Sequence, residues 1–299
     1  MIGILIAFGL GLLITPFMGL LAKKVGVVDN PAGDVLKIHK KPIPYLGGAA
    51  VLLSFLTGIL IEVFRAGDYK LLPLILILSA GILIFIVGLF DDIRRVNPKI
   101  RILCHIIAGC FILSAGFSIN IIPIWWISMP LTLFYIAGAI NAFNITDGMD
   151  GLCVGISLVS CIGFFFLGLK SRNALLMVLS AILFMSLLGF LPYNFHPARI
   201  FLGDAGSGFL GFMLGVMAVM ATSKPYNIAN FIAPILIICV PVLDMAFAIL
   251  RRLIQKRALF IGDRDHVYDL LLKRGWSQPK VWFLMCGMQT VVMLGALAI

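Results

Sequence analysis

The run Leu71-Leu-Pro-Leu-Ile-Leu-Ile-Leu-Ser-Ala-Gly-Ile-Leu-Ile-Phe-Ile-Val-Gly-Leu-Phe90 leads directly into Asp91-Asp92-Ile-Arg94-Arg95. An uncharged stretch of about 20 residues is what a bilayer-spanning helix requires. It ends in two carboxylates and two guanidiniums, which belong in water or in a polar site. The same grammar recurs along the chain. Apolar runs near 1–22, 46–64, 71–90, 100–118, 127–142, 151–169, 174–191, 208–222, 228–250 and 281–299 read as transmembrane helices. The expected fold is therefore all-α, a polytopic membrane protein of about ten spans. Residues 1–299 are expected to form a single membrane-embedded domain, because so apolar a chain leaves little for a separate soluble one.

Charge sorts by side. If the spans alternate in and out, eighteen of the 23 Lys and Arg fall on one face. The positive-inside rule makes that face cytoplasmic and puts the N-terminus outside. Carboxylates gather there too: Asp29, Asp34, Asp91, Asp92, Asp147, Asp150, Asp204, Asp263, Asp265 and Asp269, with Asp244 just inside the helix before the last loop. Only Glu62 and Asp68 fall on the other side. Orientation explains clustered cations, but it does not explain clustered acids. Met1–Ala22 lacks a positive n-region and reads as a retained span rather than a signal peptide. The net charge of +10 is mostly an orientation signal, with some attraction for anionic lipid or phosphate ligands. No nucleic-acid partner is expected. The six cysteines lie in apolar runs without a Cys-x-x-Cys pair and read as small packing residues.

Four polar segments carry the chemistry. The first loop ends in a basic stretch, Lys37-Ile-His39-Lys-Lys41-Pro, with Gly47-Gly48 beyond it. Asp91-Asp92 repel each other and call for a cation or for the nearby Arg94, Arg95, Lys99 and Arg101. In Asn141-Ala-Phe-Asn144-Ile-Thr-Asp147-Gly148-Met-Asp150-Gly-Leu, the four polar side chains step by three residues. They would share a face if helical. Gly148 and Gly151 suggest instead a break that brings backbone N–H groups to a ligand. Phe201-Leu-Gly-Asp204-Ala-Gly-Ser207-Gly precedes the eighth span, with Asp204 or Ser207 as the expected N-cap. In the last loop, His266–Arg274 suits a short helix capped by Asp263 or Asp265. Asp244 reads as structural, paired with a basic group. Three acid clusters on different helices, beside many cations, suit Mg²⁺-dependent chemistry at a phosphate. A transporter with an ion-binding vestibule would place its acids nearer the midplane of broken helices.

Taken in order, the Asp-Asp helix end, Asn-x-x-Asn-x-x-Asp-Gly-x-Asp-Gly-Leu, Phe-Leu-Gly-Asp-x-Gly-Ser and the first-loop His39-Lys-Lys-Pro-Ile-Pro-x-x-Gly-Gly resemble the polyprenyl-phosphate N-acetylhexosamine-1-phosphate transferases, glycosyltransferase family 4. The resemblance runs from about residue 23 to 276. It implies transfer of a sugar 1-phosphate from a UDP-N-acetyl sugar to a polyprenyl (undecaprenyl) phosphate, releasing UMP at the inner membrane of a bacterium. Mg²⁺ would be the cofactor, with Mn²⁺ able to substitute. Carried over by motif, Asp91, Asp92, Asp147 and His266 would be catalytic, and Asp204 and Asp147 would hold the metal. Lys41, Arg101, Asn141, Asn144, Gly148, Asp150, Phe201 and Arg264 would bind substrate, Phe201 by stacking on uracil. The family's muramyl branch often carries His-x-His-His in the last loop; here Asp263-Arg-Asp-His266-Val-Tyr-Asp keeps only the first His. That departure favours UDP-GlcNAc over UDP-MurNAc-pentapeptide. The motifs leave open direct transfer or an aspartyl intermediate, and a homodimer.

Overall fold

The computed structural model describes residues 2–31, 41–66, 70–121, 124–222, 228–257 and 264–299. Asp34, Lys37, His39, Asp68 and Asp263 lie outside the described residues. Each expected apolar run forms a helix, in chain order: α1 (Ile2–Val25), α2 (Gly47–Ala66), α3 (Leu71–Ile93), α4 (Pro98–Ser114), α5 (Trp125–Thr146), α6 (Leu152–Lys170), α7 (Ala174–Asn194), α8 (Gly203–Thr222), the pair α9 (Ile228–Ile237) and α10 (Cys239–Ile254), and α12 (Gln278–Ala298). The short α11 (Val267–Lys273) lies in the last loop. Among the described residues, eight helices are long and apolar enough to cross a membrane, or nine if the α9–α10 pair is one span. The protein is an all-α, multi-pass membrane protein. Its only strands among the described residues are the two-residue β1 (Val28–Asp29) and β2 (Ile43–Pro44), paired antiparallel.

α8 is the axis of the bundle. It packs on α2, α3, α5, α6, α7 and α9, and almost every side chain along it is buried. Small residues permit this. A Cβ on Gly211 would sit 2.7 Å from the Ala139 carbonyl oxygen and from the Ile140 Cα, and one on Gly48 would sit 2.5 Å from the Gly206 Cα. In lipid, close backbone approach of this kind replaces the hydrophobic drive between helices. Leu13, Phe17, Phe64, Phe134 and Val291 stay exposed on the outside of the bundle, where lipid is an adequate solvent.

Three differences from the sequence reading bear on the architecture. α4 stops at Ser114, four residues early, because Gly116 adopts φ +84° and closes the helix through Gly116 N–H to the Leu113 carbonyl. Ser128 and Thr132 then hold Ile119 at both its backbone groups. α8 begins at Gly203 rather than Gly208, so Asp204 sits in its first turn.

The third difference is larger. The ninth run is broken at Ile238, and its two halves meet at 82°. Pro241 has no N–H to donate to the Ile237 carbonyl. That carbonyl accepts instead from Ser160 Oγ at 2.7 Å and Gln289 Nε2 at 2.7 Å. Gln289 Nε2 also donates to the Leu236 carbonyl at 3.2 Å, and its Oε1 accepts from Val240 N–H at 3.0 Å. One fully buried amide on α12 thus stands in for the missing helix bonds on both sides of the break. Irregular backbone persists at membrane depth only when it is satisfied in this way.

Candidate active site

The acid-bearing ends of α3, α5 and α8 converge on one cavity of about 1110 Å³. Its wall includes Asp29, Tyr45, Asp91, Asp92, Arg101, Asn144, Asp147, Gly148 and Asp204. Asp91 closes the end of α3: its Oδ1 accepts from Val96 N–H at 2.6 Å and its Oδ2 from Arg101 Nη1. Arg101 Nη2 reaches Asn144 Oδ1 at 3.2 Å. Asn144 Nδ2 donates to Asp204 Oδ1 at 2.6 Å and to Ser207 Oγ at 3.1 Å. A continuous hydrogen-bonded chain, Asp91–Arg101–Asn144–Asp204, therefore links α3, α4, α5 and α8.

Asp92 caps a helix other than its own. Its Oδ1 accepts from Asp204 N–H at 2.8 Å and its Oδ2 from Ala205 N–H at 3.1 Å. The carboxylate of α3 thus satisfies the first free N–H groups of α8. Neither Asp204 nor Ser207, the expected N-caps, takes that place; the Ser207 hydroxyl donates back to the Gly203 carbonyl. Gly203 makes the junction possible. Its φ is +76°, and a Cβ there would lie 2.7 Å from Asp92 Oδ2.

Asp147 follows α5 directly and accepts from the Gly203 backbone. Burial holds its carboxyl well above the usual range, and Asp204, Asp92 and Asp150 push it the same way. Three carboxylates from three helices therefore face one another with too little positive charge between them. A hard divalent cation is the ligand such an oxygen set suits. Among the described residues, no three acid, His or Cys side chains are placed to ligate one ion alone.

The other expected site residues lie around this centre rather than on the cavity wall. Asn141 is a turn inside the bundle, donating to the Ala137 carbonyl at 2.7 Å and facing His105 Nδ1 at 3.4 Å. Asn141 and Asn144 do share a face: both meet α4, at His105 and at Arg101, and Asn144 reaches Asp204 and Ser207 of α8 as well. Asp150 Oδ2 accepts from His196 Nδ1 at 2.8 Å and Ala198 N–H at 3.1 Å, which commits that oxygen to the α7–α8 connection. Phe201 is stitched to the first loop: its N–H donates to the Pro44 carbonyl at 2.8 Å, and its ring lies 6.0 Å from that of Tyr45. Lys41 is exposed just before β2. Arg264 Nη1 donates to the Gly148 carbonyl at 3.2 Å and to Asp269 Oδ1 at 3.0 Å. His266 is buried, its Nδ1 2.9 Å from Asp244 Oδ2. The partner expected of Asp244 is therefore a histidine. α11 is seated by Asp244 as well, through Val267 N–H to Oδ1 at 2.9 Å, rather than by Asp265.

Sequence reasoning missed Tyr45 and the role of Asp29. The Tyr45 hydroxyl donates to Asp29; burial, Asp29 and the nearby Asp92 and Asp204 hold its phenol far above the usual range. The signal was present in an aromatic residue two positions before Gly47-Gly48 and an aspartate in a turn-rich loop.

Helix ends thus bring carboxylates, amides and a guanidinium around one large cavity at one end of a membrane helix bundle. Residues 74–222, from α3 through α8, match the family described as glycosyl transferase family 4. Over 290 residues the chain is 33% identical to a Bacillus subtilis (strain 168) protein named probable undecaprenyl-phosphate N-acetylglucosaminyl 1-phosphate transferase, covering 93% of this chain and 79% of that one. A Mycobacterium leprae protein named decaprenyl-phosphate N-acetylglucosaminephosphotransferase is 30% identical over 320 residues, 94% of this chain and 79% of its own. An Escherichia coli (strain K12) undecaprenyl-phosphate alpha-N-acetylglucosaminyl 1-phosphate transferase is 31% identical over 286 residues, 88% and 74% of the two chains. This chain belongs to glycosyl transferase family 4.

Proposed function

We propose that the protein transfers N-acetylglucosamine 1-phosphate from UDP-GlcNAc to undecaprenyl phosphate, releasing UMP and giving undecaprenyl-diphosphate-GlcNAc, the first membrane step of a surface glycan. The observation that carries this reading is the convergence of Asp92, Asp147 and Asp204 with Arg101 and Asn144 on one cavity at the end of the bundle. There a soluble nucleotide and a lipid headgroup can meet. The relatives support the donor and acceptor by their names. The cavity faces the cytoplasm of a bacterium, across the inner membrane from the N-terminus, as the Lys/Arg bias suggests.

In this reading a phosphate oxygen of the lipid attacks the β-phosphorus of the sugar nucleotide. The new P–O bond forms as the bond to UMP breaks. The acceptor is a phosphate monoester with a second pKa of about 6, so it is largely dianionic and needs no strong base. The oxygens of Asp91 and Asp92 are already engaged by N–H donors and Arg101, which suits positioning better than proton removal. Asp204 and Asp147 would hold Mg²⁺, which supplies charge neutralisation at the bridging phosphates. Arg101 lies where it can add a second positive charge. Arg264, behind Gly148, serves the donor side, and His266, buried against Asp244, acts beside it.

The test is UMP release by purified protein in detergent with undecaprenyl phosphate, Mg²⁺ and, in parallel, UDP-GlcNAc, UDP-GalNAc or UDP-MurNAc-pentapeptide. Lipid-dependent UMP with UDP-GlcNAc alone, abolished by EDTA and restored by Mg²⁺, is the expected result. Release with a different donor only would keep the reaction and change the sugar. No release by folded protein with any donor would sink the reading.

A further inference from the structure

Asp244 is an acid inside a helix of a membrane protein, 5% exposed, and the reaction above gives it no part. A buried ionisable group is costly unless it is paired. Both its oxygens are engaged by the same two consecutive residues of the last loop. Oδ2 lies 2.9 Å from His266 Nδ1, and Oδ1 accepts from Val267 N–H at 2.9 Å. His266 is 6% exposed, so the pair is shielded on both sides. From this anchor the loop runs straight to the cavity wall. The His266 and Tyr268 rings stack at 5.8 Å, 9° from parallel. The Tyr268 hydroxyl donates to the Ile145 carbonyl at 3.3 Å. Arg264 donates to the Gly148 carbonyl on the other side of the same turn. Fit there is tight, since a Cβ on Gly148 would fall 2.0 Å from the Tyr268 hydroxyl oxygen. The turn so gripped, Ile145–Gly148, carries Asp147 and lines the cavity.

We infer that Asp244 is a positioning residue: by holding His266 and Val267 it latches the last loop against the Ile145–Gly148 turn and so sets the donor side of the transfer site. The inference rests on the proposed reaction for its kinetic consequence. The latch itself does not depend on that reaction. α10 leaves α9 at 82°, with Gln289 fixing the bend, so Asp244 is offered from a braced element rather than from a loop. A cap on α11 alone would need only one oxygen. The second oxygen, on the imidazole, orients the segment as a whole. Asp244→Ala removes both contacts. Asp244→Asn keeps an acceptor for Val267 N–H but cannot serve as an anionic partner for the ring.

Two readouts separate the latch from the reaction. In full-length protein in detergent, hydrogen exchange across residues 267–273 reports whether the loop is held, whatever the enzyme does. Asp244→Ala should exchange there at least about tenfold faster than wild type, with α6 and α8 unchanged. Unchanged exchange in folded Asp244→Ala overturns the latch. The second readout is the KM for each substrate in the UMP assay. Misplacing the Ile145–Gly148 turn, on the donor side of the proposed site, should raise the donor KM by about tenfold or more and leave the undecaprenyl phosphate KM within about twofold. A donor KM within twofold of wild type, or both KM values rising together, overturns the positioning role. Should Asp244→Ala fail to purify folded, Asp244→Asn carries the same test with a donor KM at least about threefold higher. Wild-type protein that releases no UMP would count against the proposed reaction, while the exchange data would still decide the latch.

Discussion

Asp92 and Asp204 meet at one peptide junction, yet an amide at each should do different things. Asp92→Asn leaves one of the two α8 N–H groups without an acceptor. The lost cap costs about 1 kcal/mol and the relief of like charge offsets part of it, so this variant should melt below Asp204→Asn and lose activity. Asp204→Asn removes a charge from a crowd of like charges and keeps an oxygen toward Asn144. It should melt at or above wild type and still lose about a hundredfold or more of turnover, because an interaction needed in the transition state has gone. UMP assays beside thermal scans check both. Near-wild-type turnover in either variant removes that residue from the site. Asp147 carries a pH signature with a definite sign. Its folded carboxyl titrates well above the unfolded value of about 3.9, so the folded state binds the proton more tightly. Stability should therefore fall as pH rises through the folded pKa, and the penalty persists above it. Asp147→Asn lacks that penalty. In EDTA it should melt higher than wild type at pH 8, and the gap should close toward pH 4; a gap that widens on acidification reverses the sign. Mg²⁺ should raise the wild-type Tm at pH 8 and leave Asp204→Asn unmoved. At this scale the sequence pointed to the acids well. Their partners were hidden, because the bonds that occupy Asp92 come from residues 112 and 113 positions away.

At the scale of the element, the apolar runs were readable because every transmembrane helix must satisfy its own backbone, so length and apolarity alone announce it. What fixed their ends was less local. α8 starts five residues early because α3 supplies its cap, and α4 stops early because one glycine takes a left-handed turn. The break at Ile238 was the hardest to foresee. Pro234 and Pro241 hint at it, but a proline also fits a gently kinked span. The decisive residue is Gln289, about fifty positions on, whose amide bonds Val240, Leu236 and Ile237. Gln289→Leu keeps much of the volume and deprives the break of that partner. Val240 N–H and the Leu236 carbonyl would be buried unpaired, while Ser160 still serves Ile237. The expected cost is about 2 kcal/mol of stability, within the range for stranded buried polar groups. Thermal unfolding in detergent reads it. A variant as stable as wild type would mean that the bend does not depend on this amide. Because α10 also carries Asp244, the same variant should speed exchange in α11.

For the whole molecule, the bundle has two unlike ends. One holds the cavity with its aspartates and the α11 latch; the other holds the α6–α7 connection at Lys170 and the Trp125–Trp126 pair at the start of α5. The fold brings these polar segments together without stating which compartment they face. Charge bias supplies that direction, and it does so with cations that also serve a phosphate site. If Lys and Arg were clustered at the cavity only to hold substrate, the positive-inside argument would weaken, so orientation calls for a measurement of its own. Lys99, exposed beside the cavity rim at the start of α4, and Lys170, exposed at the other end, are suitable reporters. Each would be changed to Cys in an otherwise cysteine-free chain and treated with a membrane-impermeant maleimide. Lys99→Cys should label in inverted inner-membrane vesicles and stay unlabelled on intact spheroplasts; Lys170→Cys should do the opposite. Nucleoside diphosphate sugars are made in the cytoplasm, so the opposite pattern would leave the cavity facing a compartment without its donor. Such a result would overturn the orientation and the proposed reaction together, whereas the expected pattern makes Arg101 and its neighbours serve both topology and catalysis.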